Sequence, residues 1–459
     1  MLIIASDIHL GDGTCAKSIA PNAFFLFAER LREQAFHASF QRDGAYKPVE
    51  KIDLVLMGDI LDPLHSTHWL DTPAASESDK NATGIRPWSD PSNARYAKKL
   101  RQITQAILKE NQAASAILKS LSAGEIVRLP PAVGNRPDIN SSEHAIPRVN
   151  IHYMTGNHDW FYHLPGKRFD NIRQEVIDGL GLCNPSDNFP WELSEHEALQ
   201  DIFAHYKVYG QHGDKYDQFN YDREKGRNFS TLGDVFTVEV INRYPIAVMQ
   251  ELGDELPAAI VESLRQLTNV RPALATPLWI TSRIREYAGS DAMMGKLKQI
   301  WDRVTDEFLD VDFVRQADRA FRFDLVDALQ LIVKISQKAS FQTINDVVMW
   351  MREKMWEDGV SFTNHALLEP AFLEKSARYI AYGHTHHHEV VPLDTNGEPP
   401  DDENLFYFNS GTWHSYYDLA VRKPEAQKFV HYQSMTYLTF YAKDECSDRN
   451  FEAWSGALG

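Results

Sequence analysis

The strongest constraint on this chain of 459 residues is a repeated unit, a short apolar run that breaks off into Asp, Asn and His. Leu2 to Ala5 runs into Asp7 and His9. Asp53 to Met57 runs into Gly58-Asp59-Ile60-Leu61-Asp62. Val149 to Met154 runs into Thr155-Gly156-Asn157-His158-Asp159. Asp201 to Tyr209 runs into Gly210-Gln211-His212-Gly213-Asp214, and Arg378 to Tyr382 into Gly383-His384-Thr385-His386-His387-His388. Short apolar runs stopped by polar residues predict buried strands. Gly156, leaving its strand, predicts a sharp backbone turn. Between the first two strands, Phe24, Phe27, Leu31, Ala35 and Ala38 fall on one face of a helix expected over Pro21 to Phe40. Strand, helix, strand is the order of a parallel α/β layer, in which ligands bind beyond the carboxyl ends of the strands. All of these polar clusters sit at such ends.

The rest of the chain divides by composition. Residues 66–146 read as an insertion, with Ser, Pro and Asp in its loops and a helix over Asn93 to Leu121. Arg168 to Leu182 predicts a helix that ends at Gly179 or Gly181. Residues 216–375 carry helical spacing at Thr231–Tyr244, Pro257–Thr268, Met293–Phe308, Phe323–Ile335 and Thr343–Trp356. Met294, Leu297, Trp301, Val304 and Phe308 form one apolar stripe. This block is long enough to be a domain of its own. Strands resume at 378–382, Leu405 to Phe408 and Lys428 to Tyr441. The core is therefore expected from 1–65, 147–215 and 376–459.

Hydrophobic residues at 43% allow a sizeable core. A net charge of −17 argues against a general nucleic-acid binder, which needs a basic surface to neutralise phosphates. The three cysteines, Cys15, Cys183 and Cys446, offer no disulfide framework and suit a reducing compartment. No basic leader precedes an apolar run, and no run approaches the roughly 20 residues of a spanning helix. The expected setting is the cytoplasm.

The polar clusters supply carboxylates and imidazoles. That mixture suits Mn, Fe, Zn or Ni, whereas calcium sites are built of oxygen alone. Asp7 and His9 lie two apart, as do His384 and His386. On extended backbone each pair points to one side, which is what a metal clamp at a strand end requires.

Taken in order, the five clusters resemble the calcineurin-like metallophosphoesterase superfamily. The resemblance covers the α/β core and neither insertion. It implies an α/β fold, a four-layer α/β/β/α sandwich carrying a large, mostly helical insertion. It also implies two divalent metal ions, with Asp7, His9 and His386 on one, Asn157, His212 and His384 on the other, and Asp59 bridging both. Such a centre hydrolyses phosphate ester or pyrophosphate bonds through a metal-bridging hydroxide. His158 would be the general acid and Asp62 the carboxylate that fixes its tautomer. An N-cap is the alternative role for Asp62. The core is similar to the UDP-2,3-diacylglucosamine pyrophosphatase-like branch, which is much shorter than this chain. The implied substrate is a phosphorylated small molecule or nucleotide, with cyclic nucleotides, nucleotide diphosphates and phosphoproteins all open. A Mn-dependent nuclease and a non-catalytic scaffold are the alternatives.

Other residues carry weaker signals. His387 and His388 are expected to point away from the metals or toward the rim, and His65 and His68 to lie on a surface loop, with the pocket mouth as the alternative. Trp413 and His414 either border the substrate or pack at a strand end. Asp159 is read as structural rather than chemical, and Asp214 either orients a ligand or serves a turn. Val347 to Trp356 is read as core of the helical block, which is expected to cap the pocket.

Overall fold

The computed structural model describes residues 1–15, 17–71, 84–270, 276, 279–280, 282–283, 291–320, 362–396, 403–419, 429–447 and 449–458. Its strands are β1 (Leu2–Ala5), β2 (Lys51–Met57), β3 (Ala132–Val133), β4 (Arg136–Pro137), β5 (Arg148–Met154), β6 (Val208–Gly210), β7 (Tyr379–Tyr382), β8 (His388–Asn396), β9 (Glu403–Ser410), β10 (Ser415–Leu419), β11 (Phe429–Phe440) and β12 (Phe451–Leu458). The protein is mixed α/β. β1, β2 and β5 pair in parallel, with Ile4 opposite Val55 and Val55 opposite His152. β11 continues this sheet antiparallel to β1, and β10 and β12 both pair with β11. A second sheet runs in the order β6-β7-β9-β8.

Alternation along the strands decides what covers each face. Ile3, Leu54, Leu56, Ile151 and Tyr153 join one apolar cluster with Phe24, Phe27 and Leu31 of α1 (Pro21–Ala38). Helices α2 (Ala94–Glu110), α3 (Gln112–Ser122) and α4 (Lys167–Leu180) add Leu100, Leu118 and Val176 to it. The opposite faces of these strands, Leu2, Ile4, Val55, Met57 and Met154, pack on Val208, Tyr379, Ala381 and Phe408 of the second sheet. Beyond that sheet, Ile380, Tyr382 and Tyr407 meet Ala366, with Phe362 and Phe372 against them. These last residues belong to the short helices Phe362–Leu368 and Pro370–Leu373.

The structure corrects several expectations. Of the strand expected over Asp201 to Tyr209, only Val208 and Tyr209 are strand, the start of β6. Residues 197–205 form α5 (Glu197–His205), capped by His196, whose Nδ1 accepts from the Leu199 amide at 3.3 Å. The buried residues Leu199, Ile202 and Phe203 follow helical spacing and fill the layer between the sheets, which outweighs the local alternation. The helix expected over Asn93 to Leu121 breaks at Asn111, whose amide Nδ2 donates to Gly11 O and Ile107 O. α4 ends at Gly181, which has φ +72°. β10 and β12 were not anticipated.

Within the helical stretch, α6 (Leu232–Phe236) runs through a π-helical segment, Thr237–Asn242, into α7 (Arg243–Leu252), and α8 (Ala258–Leu264) follows. With the helix Asp291–Leu309, these pack around Val235, Tyr244, Val248, Trp279, Leu297, Trp301 and Phe308. The helices expected at Phe323–Ile335 and Thr343–Trp356, and the stretch Val347 to Trp356, lie outside the described residues. Among the described residues no helix is long and apolar enough to cross a membrane.

Candidate metal centre

The loops that leave β1 and β2 run side by side. The Asp7 amide donates to Gly58 O at 3.0 Å, His9 to Asp59 O at 2.9 Å and Leu10 to Ile60 O at 2.8 Å. Asp7, His9, Asp59, His384 and His386 all adopt positive φ, between 50° and 67°. The pairs spaced two apart therefore meet through left-handed turns, not through extended backbone as anticipated. Each such turn costs a non-glycine residue roughly 1–2 kcal/mol, strain that concentrates at functional sites. Gly156 also differs from expectation, because its φ is not positive. A Cβ there would fall on Asp59 Oδ1 and lie 2.7 Å from His212 Nε2, so glycine is required for close approach. Gly58 needs both freedoms, with φ +88° and a Cβ position 2.5 Å from His212 Nδ1.

Two sets of donor atoms converge beyond the strand ends. In one, His386 Nε2 lies 3.3 Å from Asp7 Oδ1 and 3.1 Å from His9 Nε2. In the other, His212 Nε2 lies 3.2 Å from Asp59 Oδ2 and 3.2 Å from Asn157 Oδ1, which is itself 2.9 Å from His384 Nδ1. Asp59 Oδ2 is also 3.8 Å from His9 Nε2, which puts this one oxygen between the sets. Asp59 Oδ1 accepts the His158 amide at 2.8 Å. Asp7, Asp59 and His212 are fully buried.

Three of these imidazoles are held from behind by their second nitrogen. His9 Nδ1 faces Asp62 Oδ2 at 2.9 Å, His212 Nδ1 faces Met57 O at 3.1 Å, and His384 Nε2 faces Asp217 Oδ2 at 3.0 Å. One nitrogen inward and one fixed outward is the arrangement of metal-binding histidines.

Electrostatics point the same way. Burial alone would raise the Asp7 and Asp59 carboxyls. His212 overrides it, holding Asp7 at about 2 with help from His386, and Asp59 well below its ordinary value with help from His158 and His9. Burial in turn opposes charge on His212, yet Asp59 and Asp7 push it up to about 10. The carboxylates draw a proton onto that imidazole, a charge that a divalent cation would supply instead. Asp7 Oδ1 is buried and has no hydrogen-bond partner among the described residues. This orphaned oxygen, aimed at His386 and His9, fits a cation, as does the mixed carboxylate, amide and imidazole donor set.

No family model and no curated protein matches this chain.

Beside the two sets stands His158, with Nδ1 3.1 Å from Asp62 Oδ1 and its ring edge-on to His9 at 4.6 Å. Asp62 also accepts the His65 amide at 3.0 Å, so it serves the local turn as well as the imidazole. Burial would raise its carboxyl, but His65 and His158 hold it well below the usual range. His65 is not on a surface loop. It is largely buried, with Nδ1 2.7 Å from Asp62 Oδ2 and its ring 4.9 Å from that of His158. Burial lowers its pKa against the pull of Asp62. His68 pairs instead with the exposed Asp71.

The remaining residues sort clearly. Asp159 is structural. Fully buried, it accepts from the Ile60 amide (2.9 Å), Tyr153 OH (2.6 Å) and the Gly156 amide (2.5 Å), tying two site loops together. Burial, aided by Asp59, pushes its carboxyl up to about 7. Asp214 pairs with the buried Arg227. Trp413 packs against Phe24 and Phe27 in the core and donates to Thr436 O. The His414 ring lies 5.5 Å from that of His9, tilted by 39°. His388 begins β8 and donates to Asn409 O, away from both sets. Asp217 and Arg227 were not anticipated, since neither follows an apolar run nor sits in a recurring cluster. Burial would raise the Asp217 carboxyl, but His384 lowers it.

Proposed function

We propose that this protein is a dinuclear metal-dependent phosphoesterase of the calcineurin-like metallophosphoesterase superfamily, hydrolysing a phosphate ester or pyrophosphate bond. The observation that carries the reading is Asp59 Oδ2, one buried carboxylate oxygen set between two groups of inward-facing donors. A bridging carboxylate is what two neighbouring cations need to offset their mutual repulsion. Helices outside a first sheet, a second sheet behind it and short helices beyond match the four-layer α/β/β/α sandwich of that superfamily.

On this reading Asp7, His9 and His386 hold one cation and Asn157, His212 and His384 the other, with Asp59 common to both. Bound Mn, Fe, Zn or Ni ions would neutralise phosphoryl oxygens and supply a hydroxide nucleophile at neutral pH. His158, its Nδ1 proton held by Asp62, keeps Nε2 for the leaving oxygen. The ionised Asp62 stabilises the imidazolium that performs this step. The helical insertion caps the site and selects the substrate. It reaches the site loops through Asn242 Nδ2, which donates to Leu64 O at 3.0 Å.

The test is hydrolysis of a chromogenic phosphomonoester and phosphodiester by metal-stripped protein to which Mn or Ni is returned, with metal analysis alongside. Metal-dependent turnover is expected. A folded protein inactive with every metal overturns the proposal. Degradation of single-stranded DNA with Mn would redirect it to a nuclease, which the net charge of −17 disfavours.

A further inference from the structure

The two donor sets are supported from different parts of the chain. His9 is held by Asp62, three residues beyond Asp59 on the same core loop. The second set leans on residues of the helical insertion. Asp217 Oδ2 holds His384 Nε2 from 167 residues away. Arg227, only 7% exposed, donates from Nη1 to Gly156 O at 3.1 Å and pairs through Nη2 with Asp214. One side chain thereby staples the loop that carries Asn157 to the loop that carries His212. Its guanidinium lies 4.4 Å from the Trp191 ring and 5.2 Å from that of Tyr221, which fixes its plane.

The far end of the insertion repeats the pattern. Glu369, buried, accepts from Gln211 Nε2 at 2.6 Å, Tyr382 OH at 2.6 Å and Tyr216 OH. Gln211 directly precedes His212, and Tyr382 precedes Gly383-His384. Phe362 adds a ring contact 6.0 Å from His384.

We infer that the helical insertion completes the second cation site, with Asp217 and Arg227 as positioning residues, so that cation binding at Asn157, His212 and His384 and docking of residues 216–231 depend on each other. The inference rests on the dinuclear reading above. A carboxylate behind a ligating imidazole fixes its tautomer and raises its basicity. If docking favours the cation, the cation must favour docking by the same factor.

Full-length protein stripped of metal is titrated with Mn(II) by calorimetry, and hydrogen exchange is followed over 216–231 with and without Mn. Wild type is expected to bind two ions, and Mn to slow exchange in that segment. Asp217→Ala is expected to weaken one ion by about 10–100-fold and leave the other unchanged. Asp217→Glu should recover most of the loss, and the thermal midpoint without Mn should not move. Arg227→Lys, which keeps the charge and loses the fork, should weaken the same ion. Two ions bound by Asp217→Ala with wild-type affinities, or exchange over 216–231 indifferent to Mn, overturns this inference and leaves the phosphoesterase reading standing. Wild-type protein that binds no Mn overturns both.

Discussion

The set around Asp7, His9 and His386 and the set around Asn157, His212 and His384 use similar donors but are held together in different ways. In the first, Asp7 Oδ2 is fixed by Ser6 and the His384 amide, and His9 by Asp62. In the second, Asp217 and Arg227 contribute from the start of the helical insertion and Glu369 from its end. A cluster assembled at strand ends can therefore take part of its support from residues far along the chain, here 217, 227 and 369. Among the described residues, Asp59 is the carboxylate set between the two.

That comparison can be broken or sharpened by substitution. The largest effect is expected from Asp59→Ala, which removes the shared oxygen. Mn stoichiometry should fall at both sets and turnover drop by about 10³-fold or more, given the several kcal/mol that bound cations contribute. Loss of a single ion, with the other retained at wild-type affinity, would show that the sets are independent. Next is His158→Ala, expected to lower kcat by about 10²–10⁴-fold with both ions still bound. An ion lost from that variant would make His158 a ligand.

Asp62→Asn is the counterpart of the Asp217 variants on the other set. It should weaken the ion held by His9 by about 10–100-fold. Because Asp62 also holds His158, its kcat should stay depressed at saturating Mn, whereas Asp217→Ala should recover there. Equal recovery of the two variants would erase the distinction between the sets.

The smallest effect lies outside both. Asp53 is buried between Asn150 and Lys51 on paired strands. Burial opposes its ionisation, but contacts to His152, Asn150 and Lys51 hold its carboxyl at about 2. Its folded-state pKa lies below the ordinary value near 4. The stabilisation is therefore present above pH 4 and lost as pH falls toward 2. Chemical denaturation of Asp53→Asn should show about 1–2 kcal/mol less stability at neutral pH, allowing for screening at the exposed Lys51, and a shallower acid limb. Mn binding should not change, and a change would tie the sheet to the site more closely than the contacts indicate.

Much of the core was legible from residue order. β1, β2, β5, β7 and β9 were visible as apolar runs, and the residues that converge at their ends were visible as the polar clusters following them. Glycine at 156 marked a turn, although the structure gives it a steric reason instead of a conformational one. The reading failed where packing outweighed local pattern. Residues 201–205 alternate like a strand, yet they are helical because Leu199, Ile202 and Phe203 fill the space between two sheets. His65 reads as a loop residue, yet it is drawn inward to Asp62.

The sequence by itself therefore determined which side chains stand at the strand ends, because hydrophobic period and turn chemistry are written in neighbouring residues. Only the tertiary structure decided how those side chains meet. The left-handed turns at Asp7, His9, Asp59, His384 and His386 are imposed by loops that hydrogen-bond to one another. The supports at Asp217, Arg227 and Glu369 come from contacts between residues far apart in the chain, which no local period records.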